Sequence, residues 1–153
     1  MTCDVRLGRL VGLPAVCGEK VVGHVERAIP DVGDGMLRGL VIRRGLGSAK
    51  WADRSAIAVL GDVSVILDAR PGRVPRGGSA AWGTVKDEGG LTLGRVTDLW
   101  VDPETFAITA MEITLGWMEE LRGGRRIIRR WTIRPGRTET QVLIPRDEWE
   151  GGV

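Results

Sequence analysis

Four glycine pairs fall on one ungapped shift of 71 residues: Gly12 and Gly83, Gly18 and Gly89, Gly23 and Gly94, Gly45 and Gly116. Random placement of the same glycines would align about one pair. Val25/Val96, Asp31/Asp102 and Ile42/Ile113 sit on the same shift, with apolar exchanges at Val22/Leu93, Leu37/Ile108 and Leu40/Met111. Glycine takes positive φ without steric cost, so glycines repeated at fixed spacing predict a repeated backbone path. The chain reads as two copies of one small unit. At roughly 70 residues each copy is near the lower limit for an independent hydrophobic core, so the two are expected to pack on one another.

A boundary lies between them. Arg70 to Ser79 (RPGRVPRGGS) combines two prolines, three glycines and three arginines, the composition of an exposed connection. The expected organisation is a first unit at 1–70, a basic Pro/Gly linker at 71–79 and a second unit at 80–153.

Within each copy the apolar runs have strand length. In the first they are Val5–Val11, Val21–Ile29, Leu37–Arg43, a short piece near Trp51, and Val63–Leu67. In the second they are Ala81–Val85, Thr92–Val101, Ile108–Thr114, Arg126–Ile133 and Thr140–Ile144. Apolar parity changes at Gly94 within LTLGRVTDL and again at Gly23, as a bulge or barrel corner would require. Asp31 and Asp102 open equivalent turns. Acids early, an arginine late and a closing glycine in Trp117–Gly123 predict one short helix, in the second copy only. The fold class is therefore all-β: two tandem, small, strongly bent antiparallel barrel-like domains.

Gly23-His24-Val25 and Gly94-Arg95-Val96, each followed by an apolar strand, an Asp-bearing turn and a strand ending in glycine (Ile42–Gly45, Ile113–Gly116), resemble the PRC-barrel family. That family takes its name from the H subunit of the photosynthetic reaction centre, and its domain also forms the C-terminal half of a ribosome-maturation factor. The ending GWMEELRGGRRIIRRW…TQVLIPRDEW is similar to bacterial tandem PRC-barrel proteins, whereas Trp51-Ala52-Asp53 departs from the family's usual Ile/Val-Pro. The resemblance implies docking to protein assemblies and carries over no catalytic residues.

With 42% apolar and 27% charged residues the chain belongs among globular rather than disordered sequences. Nothing in MTCDVRLGRLVGL or beyond approaches the roughly 20 apolar residues of a membrane span, so the expectation is a cytoplasmic protein without membrane insertion. His24 is the sole histidine and has no metal or triad partners at recognisable spacing. Cys3 and Cys17 lack the spacing of a redox or zinc pair, and the paired glycines lack a Walker lysine. No cofactor, metal or catalytic residue is expected.

The net charge of +2 conceals an uneven distribution, because Arg122 to Arg137 holds seven arginines and no acid. Arg125, Arg126, Arg129 and Arg130, with Trp131 as apolar anchor, are the candidate partner-binding residues. Gly12, Gly23, Gly45, Gly83, Gly94 and Gly116 are the structural glycines of the repeat. The leading expectation is a non-catalytic bacterial adaptor or scaffold for another protein. The alternative is an RNA- or ribosome-associated factor using segment 122–137, and exposed strand edges leave homodimer formation open.

Overall fold

The computed structural model describes residues 3–31, 33–76, 83–114, 125–134 and 141–145. The expected all-β class is what it shows: two curled sheets, one built on each copy. The first copy supplies β2 (Pro14–Cys17), β3 (Lys20–Asp31), β4 (Met36–Arg43), β5 (Lys50–Asp53), β6 (Ile57–Leu60) and β7 (Val65–Leu67). The second supplies β8 (Thr84–Asp87), β9 (Thr92–Val101), β10 (Ile108–Thr114), β11 (Arg125–Ile128), β12 (Thr132–Arg134) and β13 (Gln141–Ile144). The strand orders are β5-β4-β3-β2-β7-β6 and β11-β10-β9-β8-β13-β12, the same topology twice. Both contain one parallel pair, β2 with β7 and β8 with β13, so the sheets are mixed rather than purely antiparallel. In each, the chain runs directly from one end strand to the other, through a 3₁₀ turn at Arg54–Ala56 and through residues 129–131. That connection requires the sheet to curl.

Irregularities repeat as faithfully as strands. β3 carries extra residues at Val22 and Glu26, and β4 at Arg38. β9 carries them at Leu93 and Thr97, and β10 at Thr109, each shifted by 71. Bulges bend a strand and raise its twist; three at matched positions show that the parity changes beside Gly23 and Gly94 are geometric. Outside β3–β4 and β9–β10 the shift is not kept. The β8–β9 turn is one residue longer than the β2–β3 turn, so the left-handed residue is Gly18 (φ 65°) in the first copy and Gly90 (φ 91°), not Gly89, in the second.

The two copies meet by a local two-fold relation. Met36 pairs with Ala107, its own counterpart under the shift. The Leu37 amide donates to the Phe106 carbonyl and the Ile108 amide to the Gly35 carbonyl, both at 2.8 Å, and each bond maps onto the other. This is the self-complementary contact of a symmetric dimer, formed within one chain. One continuous core results, in which Leu7, Leu37, Leu40, Ile42 and Val65 of the first copy join Leu99, Met111, Ile113, Ile128 and Ile144 of the second.

Three local expectations differ. Val5–Val11 is not a strand: β1 is Val5–Arg6, and Leu7–Leu10 forms a one-turn helix, α1, burying Leu7 and Leu10 at helical spacing. β1 pairs with β9, so the start of the chain augments the second copy's sheet. The run Arg126–Ile133 is split into β11 and β12, which lie at opposite ends of the sheet, and β6 was not anticipated. The helix expected at Trp117–Gly123 and the glycine Gly116 lie outside the described residues.

Candidate functional site

The arginine block follows a strand edge and its corner. In β11 Arg125 is exposed, Arg126 half-buried and Ile128 buried; Arg129 and Arg130 are exposed at the corner, and Trp131 packs part-buried against the core. Arg125 also turns inward electrostatically, its Nη1 3.7 Å from Glu112 Oε1. Arg126 and Arg130 are engaged as well. Of the candidate cations in this block, Arg129 is the one with no contact among the described residues.

Glu112 belongs to a buried polar cluster that the sequence reading missed. Asp98 on β9 and Glu112 on β10 are both buried, and the Arg6 side chain, about one-third exposed, closes over them. Arg6 Nε donates to Asp98 Oδ2 at 2.5 Å and Nη2 to Glu112 Oε2 at 2.7 Å. The amides of Gly8 and Leu99 donate to Asp98 Oδ1, and Thr97 Oγ1 donates to Glu112 Oε1 at 2.9 Å. A Cβ on Gly8 would lie 2.7 Å from Asp98 Oδ2, so this close approach needs glycine. The Arg6 guanidinium also lies 5.2 Å from the Trp100 ring centroid, within cation–π range. The hydrogen bond to Asp98, and then the charges of Glu112 and Asp98, hold the Arg6 pKa above its ordinary value against the cost of burial. All four carboxylate oxygens have donors. Such a cluster fixes β1 on the second copy.

A second feature lies at the far end of the first sheet. An open groove of about 550 Å³ is lined by Lys20, Val21, Val22, Arg44, Lys50, Arg70 and Pro71. Lys20 and Lys50 open β3 and β5, Arg44 follows β4, and the bulge at Val22 bends the wall. Arg70 and Pro71 are delivered by the connecting segment, because Gly72 makes a two-way backbone bridge with Trp51 at 2.8 and 2.9 Å. None of the four cations has an ion-pair partner among the described residues, and no acid lines the groove. These residues are spread over the 51 positions from Lys20 to Arg70. Local charge counting could not group them, although two of the chain's three lysines are here.

The remaining candidates are dispersed. His24 is exposed on β3 opposite Arg43, Cys3 is exposed, and Cys17 is half-buried in β2. The carboxylates of Asp31 and Asp102 each accept from amides of their own turns, from Asp34 at 3.0 Å and from Glu104 and Thr105 at 2.7 and 3.1 Å. Among the described residues no group of three or more His, Cys, Asp or Glu side chains could hold a metal ion, and no helix is long and apolar enough to cross a membrane. No family model matches the chain, and no curated protein matches it in sequence.

Proposed function

We propose that the protein is a non-catalytic adaptor that docks another protein onto a basic surface. The observation that carries this reading is the groove of Lys20, Arg44, Lys50 and Arg70, four cations gathered without a compensating acid. Charges kept uncompensated at a surface steer an oppositely charged partner and orient it on arrival. The exposed Arg129, with Arg125 and Arg130 beside it, forms a second and weaker positive surface on the other copy. The PRC-barrel resemblance supports the same reading, and with it a bacterial, cytoplasmic setting, since better-known members of that family dock to protein assemblies.

Affinity capture from bacterial lysate, with and without nuclease, tests the proposal. The expected result is a captured protein that survives nuclease and is lost with Lys20→Glu/Lys50→Glu or with Arg125→Glu/Arg129→Glu/Arg130→Glu. Recovery of RNA or ribosomal proteins only when nuclease is omitted would replace the adaptor reading with the ribosome-associated one. Capture indifferent to both charge reversals would remove it.

A further inference from the structure

Resting on the adaptor reading, we infer that the groove on the first copy is an acidic-peptide site, taking a short extended segment that alternates carboxylate and aliphatic side chains. The lining divides into two chemistries. Lys20, Arg44, Lys50 and Arg70 supply the charge, while Val21, Val22 and Pro71 supply an aliphatic wall. Val21 is half exposed although it lies in a strand, so burial against a partner would remove apolar surface from water.

Ligand class follows from what the wall contains. Sites for single-stranded nucleic acid pair a basic groove with aromatic platforms on which bases stack. Here the lining has no aromatic residue, and the nearby Trp51 is buried under the other face of the sheet. Aliphatic side chains do not stack on bases but do pack against Leu, Ile or Val. Two arginine forks match carboxylate geometry, and two lysines act as point charges beside them. The volume falls within the roughly 300–1,000 Å³ common for ligand sites, enough for a peptide segment and small for a folded surface.

The groove is also built rather than incidental. The bulge at Val22, the turn after β4 and the Gly72–Trp51 bridge each bring one part of the lining into place. The second copy repeats the bulge and has Arg126 in the register position of Lys50, but Leu91 stands at the position of Lys20 and Leu115 at that of Arg44. Two of the four cationic positions are therefore aliphatic in the second copy.

The test is fluorescence anisotropy with a labelled Glu-Leu-Glu-Leu-Glu peptide, against an oligouridylate of equal charge and inorganic pyrophosphate. The expected result is that the peptide binds best. Lys20→Glu/Lys50→Glu should weaken it about tenfold or more, since it reverses two of the four contacts. Val21→Ser should weaken it about threefold through the lost apolar contact while leaving pyrophosphate unchanged. Arg129→Glu should change nothing. All substituted side chains are exposed, and unchanged thermal midpoints confirm folding. Failure of the peptide to bind, equal binding to Lys20→Glu/Lys50→Glu, or preference for oligouridylate overturns the peptide site. Loss of peptide binding in Arg125→Glu/Arg129→Glu/Arg130→Glu instead would also overturn it, yet leave the adaptor reading intact on the other surface.

Discussion

The two copies share topology, bulges and a two-fold contact, yet the same outward-facing patch of sheet is covered in opposite ways. In the first copy it is Arg27, Ile29, Val41 and Trp51, with Val74 of the connecting segment packed on top. In the second the counterparts are Asp98, Trp100, Glu112 and Ile127, closed by Arg6. Each patch is covered by the stretch that precedes the other copy in sequence. An apolar patch takes an apolar cover, held by burial. An acidic patch takes a cation, and there the cost of burying two carboxylates is met only while the cation stays. The difference teaches that a repeat can conserve its backbone while exchanging the physics of its surfaces, and that the polar cover is the fragile one.

Removing Arg6 is the strongest way to break the comparison. Arg6→Ala leaves Asp98 and Glu112 buried without their principal partner. Breaking a buried pair costs about 3–5 kcal/mol, and partial exposure of Arg6 lowers this to about 2–3 kcal/mol here. Urea unfolding measures it. Arg6→Met with Asp98→Asn and Glu112→Gln should recover most of the loss, because the uncompensated charges are gone. A loss below 0.5 kcal/mol for Arg6→Ala, roughly the scale of an ordinary surface substitution, would show that water enters the patch and that the contrast is weaker than the geometry indicates.

The apolar patch has its own lock. Trp51 lies across Gly39, where an added Cβ would fall 2.4 Å from the Trp51 Cζ2 and 2.6 Å from the Ala52 carbonyl oxygen. The counterpart of Gly39 is Ala110, and by register the counterpart of Trp51 is Ile127. A larger ring in one copy is matched by a smaller backbone partner. Gly39→Ala should therefore cost about 1–3 kcal/mol by overpacking, and Trp51→Ile in the same chain should offset part of it. A double-mutant cycle with no coupling would separate the two positions and undo this account.

Gly35 and Phe106 sharpen the two-fold contact itself. Both occupy the left-handed region, at φ 71° and 64°, and Phe106 is the only non-glycine residue with positive φ among those described. Phe106 is held there because its ring packs on the core and its carbonyl receives the Leu37 amide. Gly35 has open space where a Cβ would go, so Gly35→Ala isolates the backbone term, about 1 kcal/mol. A neutral result would mean that the turn relaxes.

How much of this was legible depended on sequence distance. Periodic features within a copy were: β3, β9, β4 and β10, and the irregularity beside Gly23 and Gly94, because parity along a strand is a local property. Leu7 and Leu10 were misread because a single helical turn is too short to show a period against Val5 and Val11. The continuous strand expected over Arg126–Ile133 failed because the sheet ends at Ile128 and the chain must cross to its other side. Arg6 reaches Asp98 across 92 residues, and the groove cations converge only after β3, β4 and β5 pair; no local pattern encodes either.

The smallest expected effect concerns the corners that close the two sheets. Asp53 ends β5 and caps the 3₁₀ turn, accepting from the Ser55 hydroxyl at 2.8 Å and the Ser55 amide at 3.1 Å. By register, the second copy has Arg129 at that position. The bonds from Ser55, assisted by Trp51 and the charge of Arg54, lower the Asp53 pKa from its ordinary 3.8. A carboxylate with a depressed folded pKa adds stability that is complete above its unfolded value and disappears as pH falls through the folded one. Asn caps nearly as well but does not titrate. Wild type should therefore exceed Asp53→Asn in urea midpoint by a constant amount down to about pH 4, and that margin should shrink as the pH is lowered further. A margin that stays flat to pH 2.5 would mean the carboxylate is as well solvated in the folded chain as in the unfolded one, roughly what surface exposure alone would give. The corner of the first copy would then owe nothing to its acid, and the two corners would differ in sequence only.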